Sequence, residues 1–449
     1  MDLKKISLSR NIKNVGKISF GTILGQVISI VTLPIFTRIY GPAVIGNWAL
    51  FYSLAIIVRS FSDLGLTNAI MMEKSEQLAR NLYKVVSTLS IIISLIIGIC
   101  LYNGLFLSGL GFNQIFLAVM LTVLFFTLQQ IQISYTWLNR KKQYNVLMKN
   151  PILNNTVVTI FALFFGLCGY IEYGYYISLI LGQIVTLFHM KRFLPKGFFC
   201  FEISEYKDFF KRHRQFVFYQ MPSNIIMQFK GQLPTIFISM FFGSSMLGYY
   251  SVAMRVLGMP ITLLANSIGK VFFQSASEIK RRGEQVGEFT LRIQKKAMKF
   301  SLLPMVLLLC IGDVVVMILF GAEFKISGNI LRIMTLYGFF LFLSMSVNGI
   351  ATVIDKQQYL MVSGIFQIVG ISFGFWVGAS IFNNIYISIF AFCLVFVIIQ
   401  IIYFCTIFKQ TNIKINRYLI PLIFSLIILL LSYSLIRLLL MILGIVNTM

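Results

Sequence analysis

Acidic residues are scarce in this 449-residue chain: 14 Asp and Glu stand against 38 Lys and Arg, and only 12% of residues carry charge. Soluble domains carry about 25%, so a water-facing globular surface cannot be built from this composition. Histidine occurs twice, as His189 and His213 near a basic middle stretch, which leaves no His cluster for a metal. The six cysteines (Cys100, Cys168, Cys200, Cys310, Cys393, Cys405) show no paired spacing and fall mostly inside apolar runs. There Cys is a small apolar side chain, so neither a disulfide framework nor a metal site is expected. Paired carboxylates, a Ser/His/Asp set and a glycine-rich phosphate loop are missing as well, so no cofactor and no enzyme activity is predicted.

What the chain has is apolar length: 58% of it is hydrophobic and its mean hydropathy is +0.86. Apolar runs of about 20 residues without period-2 alternation predict membrane-spanning helices rather than a barrel. Only such self-satisfied backbones cross lipid. The spans read as 15–38, 44–72, 82–104, 113–138, 150–170, 173–193, 215–242, 246–275, 297–320, 328–351, 358–381 and 384–408. A last apolar segment, 418–446, reads either as a hairpin broken near Ser432–Ser434 or, preferably, as one tilted helix, with Arg437 unexplained. The first run is too long for a signal-peptide core and reads as a retained helix.

Alternating the loops collects Lys and Arg on the side of the N-terminus, while Arg38, Glu172, Glu323 and Lys325 hold the other. The positive-inside rule then places the N-terminus in the cytoplasm and accounts for the net charge of +24 without nucleic acid as a partner. The long polar stretches 194–214 and 276–296 fall on the same side. The first, containing Glu202 to Arg212, reads as a surface helix attracted to anionic lipid headgroups. The outer loops are too short for a catalytic domain.

A shift of 202 residues aligns Gly41 with Gly243, Gly46 with Gly248, Trp48 with Tyr250 and Gln26 with Gln228. Each copy has a helix with polar residues, a glycine-bounded turn, and a second helix opening Gly-x-aromatic. The expected fold is an all-α integral membrane protein with about 12 core transmembrane helices in two parallel six-helix repeats, plus the C-terminal segment. The divisions are 1–193, an N-terminal bundle; 194–214, a cytoplasmic linker; 215–408, a C-terminal bundle; and 409–449, the extra segment.

Polar residues form stripes: Ser19, Thr22, Gln26 and Ser29 on the first helix, and Gln220, Asn224, Gln228 and Thr235 on the seventh. Interhelical hydrogen bonds worth about 0.6–2 kcal/mol account for such stripes as well as a polar cavity does. Charges in a span cost at least about 2.5–3.5 kcal/mol and need a stronger reason. Arg255 falls about 14 Å below the outer end of the eighth helix, Lys230 about 22 Å up the seventh and Arg59 about 22 Å down the second. Asp63 is one turn from Arg59, so mutual pairing accounts for these two as well as a role in a site does. Arg255 and Lys230 have no partner close in sequence; a water-filled cationic cavity explains them and invites an anion, with Arg suited to phosphate. Arg38, Asp313 and Arg332 lie near helix ends, where snorkelling suffices. The candidate site is therefore Arg255, Lys230 and Arg59, supported by Gln26, Asn224 and Gln228, with Asp63 as the candidate ion-coupling group.

The run Thr37-Arg38-Ile39-Tyr40-Gly41-Pro42-Ala43-Val44-Ile45-Gly46-Asn47-Trp48, then Asp63-Leu64-Gly65-Leu66, resembles the start of the polysaccharide-biosynthesis flippases. These are the O-antigen and capsule repeat-unit translocases of the multidrug/oligosaccharidyl-lipid/polysaccharide exporter superfamily. Gly248-Tyr249-Tyr250-Ser251-Val252-Ala253-Met254-Arg255 looks like their eighth helix. The resemblance implies alternating-access flipping of an undecaprenyl-diphosphate-linked oligosaccharide across the bacterial inner membrane, with polysaccharide polymerase machinery as a possible partner. Unlike related lipid II flippases, helix 1 lacks a deep acid or base of its own. The alternative is a small-molecule drug exporter of the same superfamily, whose cationic cargo would need an acidic cavity.

Overall fold

A computed structural model describes residues 2–73, 75–102, 113–197, 209–214, 217–218 and 221–442. The described chain is helical, and eleven of its helical segments are long and apolar enough to cross a membrane. Two of these are too long to be single rods. Asp2–Ser62, straight, would measure about 90 Å, about three times the hydrocarbon core. It breaks at Gly41 (φ 72, ψ 173), a backbone state closed to L side chains, and Pro42 bars Gly41 from the helical region. Gly243 (φ 82, ψ 177) breaks Met221–Pro260 in the same way.

The membrane rods, in order, are α1 (2–40), α2 (42–62), α3 (Glu76–Tyr102), α4 (Gln114–Arg140), α5 (Tyr144–Leu167) and α6 (Ile171–Lys191). They continue with α7 (221–242) and α8 (244–281, passing through a π turn at Ile261–Ala265). The rest are α9 (Val286–Phe320), α10 (Lys325–Ser346), α11 (Gln357–Trp376), α12 (Ile385–Gln410) and α13 (Asn416–Ile442). The protein is an all-α, multi-pass membrane protein.

Two compact units, Met1–Gln232 and Leu233–Met449, divide the chain. They repeat one packing plan: α3 on α4, α5 on α6 and α4 on α6 in the first; α9 on α10, α11 on α12 and α10 on α12 in the second. Turns repeat too. Gly41 and Gly243 share a conformation, Lys142 and Asp355 both have φ 56, and Gly169 (φ 81) answers Asn383 (φ 45). The short helix Ile350–Val353 before α11 has no counterpart before α5, so the offset grows along the chain.

In the first unit, the core below the Gly41 break is aromatic. Trp48 stacks on Tyr176 (6.3 Å, 17°), and the Tyr40 hydroxyl donates to the Ala162 carbonyl at 2.6 Å. α1 approaches α5 so closely that a Cβ on Gly21 would sit 2.0 Å from the Met148 carbonyl oxygen. In the second unit, Tyr337 of α10 packs on Phe392 and Phe396 of α12, and α13 lies along α9.

Three expectations change. α2 ends at Ser62 rather than running to 72, because Leu64 (φ 53) and Gly65 (φ 77) turn the chain. The polar stretch 276–296 is a helical hairpin, with α8 reaching Arg281 and α9 starting at Val286. The preferred reading of the last segment stands: α13 is one unbroken helix to Ile442. Asp313 and Arg332 do not snorkel; they are paired inside the second unit, as described below. Lys74, Cys200, Gln220, most of the expected surface helix (198–208) and 443–449 lie outside the described residues. At the end of that stretch, His213 Nε2 lies 2.8 Å from Glu73 Oε1.

Candidate substrate site

Asp63 and Arg59 do not pair. Asp63 follows the last residue of α2, and its two carboxylate oxygens accept the backbone N–H groups of Gly65 (3.0 Å) and Thr67 (3.2 Å). A carboxylate two residues before a left-handed glycine is placed to cap the turn, and two N–H donors hold it more firmly than a mobile arginine. Arg59 lies in the last turn of α2, where the helix dipole favours a cation. The expected depth of both groups came from a span drawn too long.

The polar stripe on α1 separates by chemistry. The Thr22 hydroxyl donates to the Ile18 carbonyl (3.0 Å), and Thr262 of α8 likewise donates to Gly258 (2.9 Å). These hydroxyls are satisfied by their own helix. The amides of Gln26, Asn224 and Gln228 are half-buried and have no hydrogen-bond partner among the described residues. Asn224 and Gln228 stand one turn apart on one face of α7. Lys230 is about 200° round the helix from Gln228, on the side of the buried Leu233 and Pro234.

Lys230 and Arg255 are both half-buried. Neither forms an ion pair or side-chain hydrogen bond among the described residues. They flank the Gly243 break, on α7 and α8, one on each compact unit. Among the described residues, no hydrogen bond or ion pair joins any two of the seven residues expected at the site, and only Asn224 and Gln228 share a helix face.

One cluster escaped the sequence reading. Asp313 of α9 accepts from Arg332 of α10 (Nη1, 3.4 Å) and from Arg437 Nη2 of α13, and takes the Val314 N–H at 3.0 Å. Arg332 also donates to the Tyr433 hydroxyl and lies over its ring at 5.4 Å. All three charged side chains are nearly closed to solvent, at 12%, 13% and 6% exposure. The signal was available: Asp313 is, among the described residues, the only acid more than one turn inside a helix, and Arg437 needed a partner.

Comparison with known proteins gives this geometry its relatives. The chain is 21% identical over 311 residues to the succinoglycan biosynthesis transport protein ExoT of Rhizobium meliloti (strain 1021). That match takes in 68% of the chain and 62% of the relative's length. The solved lipid II flippase MurJ in an inward closed conformation superposes with TM-score 0.70 at 18% identity, covering 95% of this chain and 97% of that one. An inward-facing multidrug resistance MATE family transporter superposes at 0.61 with 14% identity, covering 89% and 98%. The fold is thus the one shared by MurJ and the MATE transporters of the MOP superfamily. A family model described as polysaccharide biosynthesis protein matches residues 35–328, well over half the chain. The chain belongs to the polysaccharide biosynthesis protein family.

Proposed function

We propose that the protein is a flippase. It carries an undecaprenyl-diphosphate-linked oligosaccharide from the cytoplasmic to the outer leaflet of the bacterial inner membrane by alternating access, for O-antigen or capsule synthesis. The observation that carries this reading is the pair Lys230 and Arg255: cations in membrane helices, half-buried, with no acid partner among the described residues. A lone buried cation is costly, and an anionic cargo offsets that cost each time it binds. In this reading Arg255 and Lys230 hold the diphosphate. Gln26, Asn224 and Gln228 offer their free amides to sugar hydroxyls, and Arg59 serves the cytoplasmic mouth. The N-terminus is cytoplasmic, as the Lys/Arg distribution supports.

The small-molecule exporter alternative draws on the MATE fold likeness. It is disfavoured because α1, α7 and α8 carry no acid more than one turn from a helix end among the described residues. Complementation of a repeat-unit export defect tests the proposal: Arg255→Ala and Lys230→Ala, at normal protein levels, are expected to lose most of the export, and the double variant all of it. Full export in all three, or strong drug resistance conferred by the wild type, would sink it.

A further inference from the structure

A second cationic site lies inside the Leu233–Met449 unit. A groove of about 570 Å³ opens between α9, α10, α12 and α13. Its walls are apolar, with Leu309, Leu336, Phe390, Leu426 and Leu430 among them. Its polar end is formed by Asn329, Arg332 and Tyr433, and behind Arg332 stands the Asp313–Arg437 pair. The cluster holds two guanidiniums against one carboxylate, a surplus of one positive charge. It also holds unused hydrogen-bonding capacity: Arg332 Nε, Arg437 Nη1 and Asn329 Oδ1 are buried without a partner.

The cluster stands near one end of its helices. Asp313 is seven residues from the end of α9, Arg332 seven from the start of α10, and Arg437 five from the last described residue of α13. Asp313 and Arg332 thus fall about 10 Å inside their helix ends. The headgroup layer is about 5–7 Å thick on each face. Side chains at that depth lie just inside the hydrocarbon, within an arginine's reach of the headgroup phosphates. Leu430 is 65% exposed, so the groove wall faces lipid rather than water.

We propose that this groove binds an anionic membrane phospholipid: the phosphodiester sits on Arg332 at the polar end, with Arg437 adding its charge from behind, and one acyl chain lies along the leucines of α13. A free anion would satisfy the arginines but leave the apolar wall uncovered, and a zwitterionic lipid would not neutralise the surplus charge.

The test uses the full chain, purified and stripped of lipid, with native mass spectrometry as the readout. Phosphatidylglycerol is expected to bind one site at least tenfold more tightly than phosphatidylcholine. Leu430→Trp fills the groove and leaves the ion cluster untouched; Arg332→Gln removes the surplus charge and leaves Asp313 paired with Arg437. Both are expected to bring phosphatidylglycerol down to the phosphatidylcholine level. Equal binding of the two lipids by the wild type, or an unchanged preference in either variant, overturns the proposal. So does displacement of the lipid by low-millimolar inorganic phosphate, which would mark an ion site only.

Discussion

Arg437 shows how a single charge in a membrane helix constrains its neighbours. Its guanidinium would cost several kcal/mol alone in hydrocarbon, and Asp313 removes that cost while also taking Arg332. Asp313→Ala strips two arginines of their partner at once and is expected to lose about 3–5 kcal/mol, read as a large drop in thermal unfolding temperature in detergent. Arg332→Met leaves a neutral pair and is expected to cost clearly less; equal losses would contradict the cluster. Asp63 carries the opposite lesson. With both oxygens on backbone N–H groups, it is a cap, so Asp63→Asn keeps most of the turn and Asp63→Ala loses about 1–2 kcal/mol. Transport abolished by Asp63→Asn at full stability would instead restore it as a coupling group. The sequence exposed these charges as anomalies but not their partners. Asp63 and Arg59 are neighbours in sequence and do not pair, whereas Asp313 and Arg437 are 124 residues apart and do. A linear chain displays i,i+4 partners and hides those made by packing.

At the level of helices, the glycine breaks at Gly41 and Gly243 were legible because the repeat places them in register. Both adopt a positive-φ, extended state that only glycine enters freely. Gly243→Ala is expected to cost about 1–3 kcal/mol. Gly231→Ala, in the middle of α7 with nothing within 4 Å of its Cβ position, is expected to be neutral or stabilising by up to about 1 kcal/mol. Thermal unfolding of the two variants side by side checks the difference. Gly21 is a different case, since its position in an apolar run gave no warning that α5 backbone lies 2.0 Å from its absent Cβ. Gly21→Val is expected to push α1 off α5 and to reduce folded protein strongly, measured as the monodisperse fraction on size exclusion. Helix ends were the least legible feature. Apolar periodicity runs through Leu64-Gly65-Leu66 without a break, and only the backbone turn stops α2 at Ser62.

Over the whole molecule, the imbalance of 38 basic to 14 acidic residues serves two purposes. Most of it orients the chain in the membrane; a small remainder, including Lys230, Arg255, Arg332 and Arg437, lies inside the helices. The repeated packing plan, each copy opening with a glycine-broken helix pair, is of the kind that membrane transporters build from parallel repeats. The central claim is that this cargo is anionic and is held by those two side chains. The direct measurement is translocation of a fluorescent polyprenyl-diphosphate-linked oligosaccharide across proteoliposomes containing the purified protein. The account predicts flipping by the wild type, a loss of tenfold or more in Arg255→Ala with Lys230→Ala, and partial recovery in Arg255→Lys. Wild-type rates in the double alanine variant would contradict it.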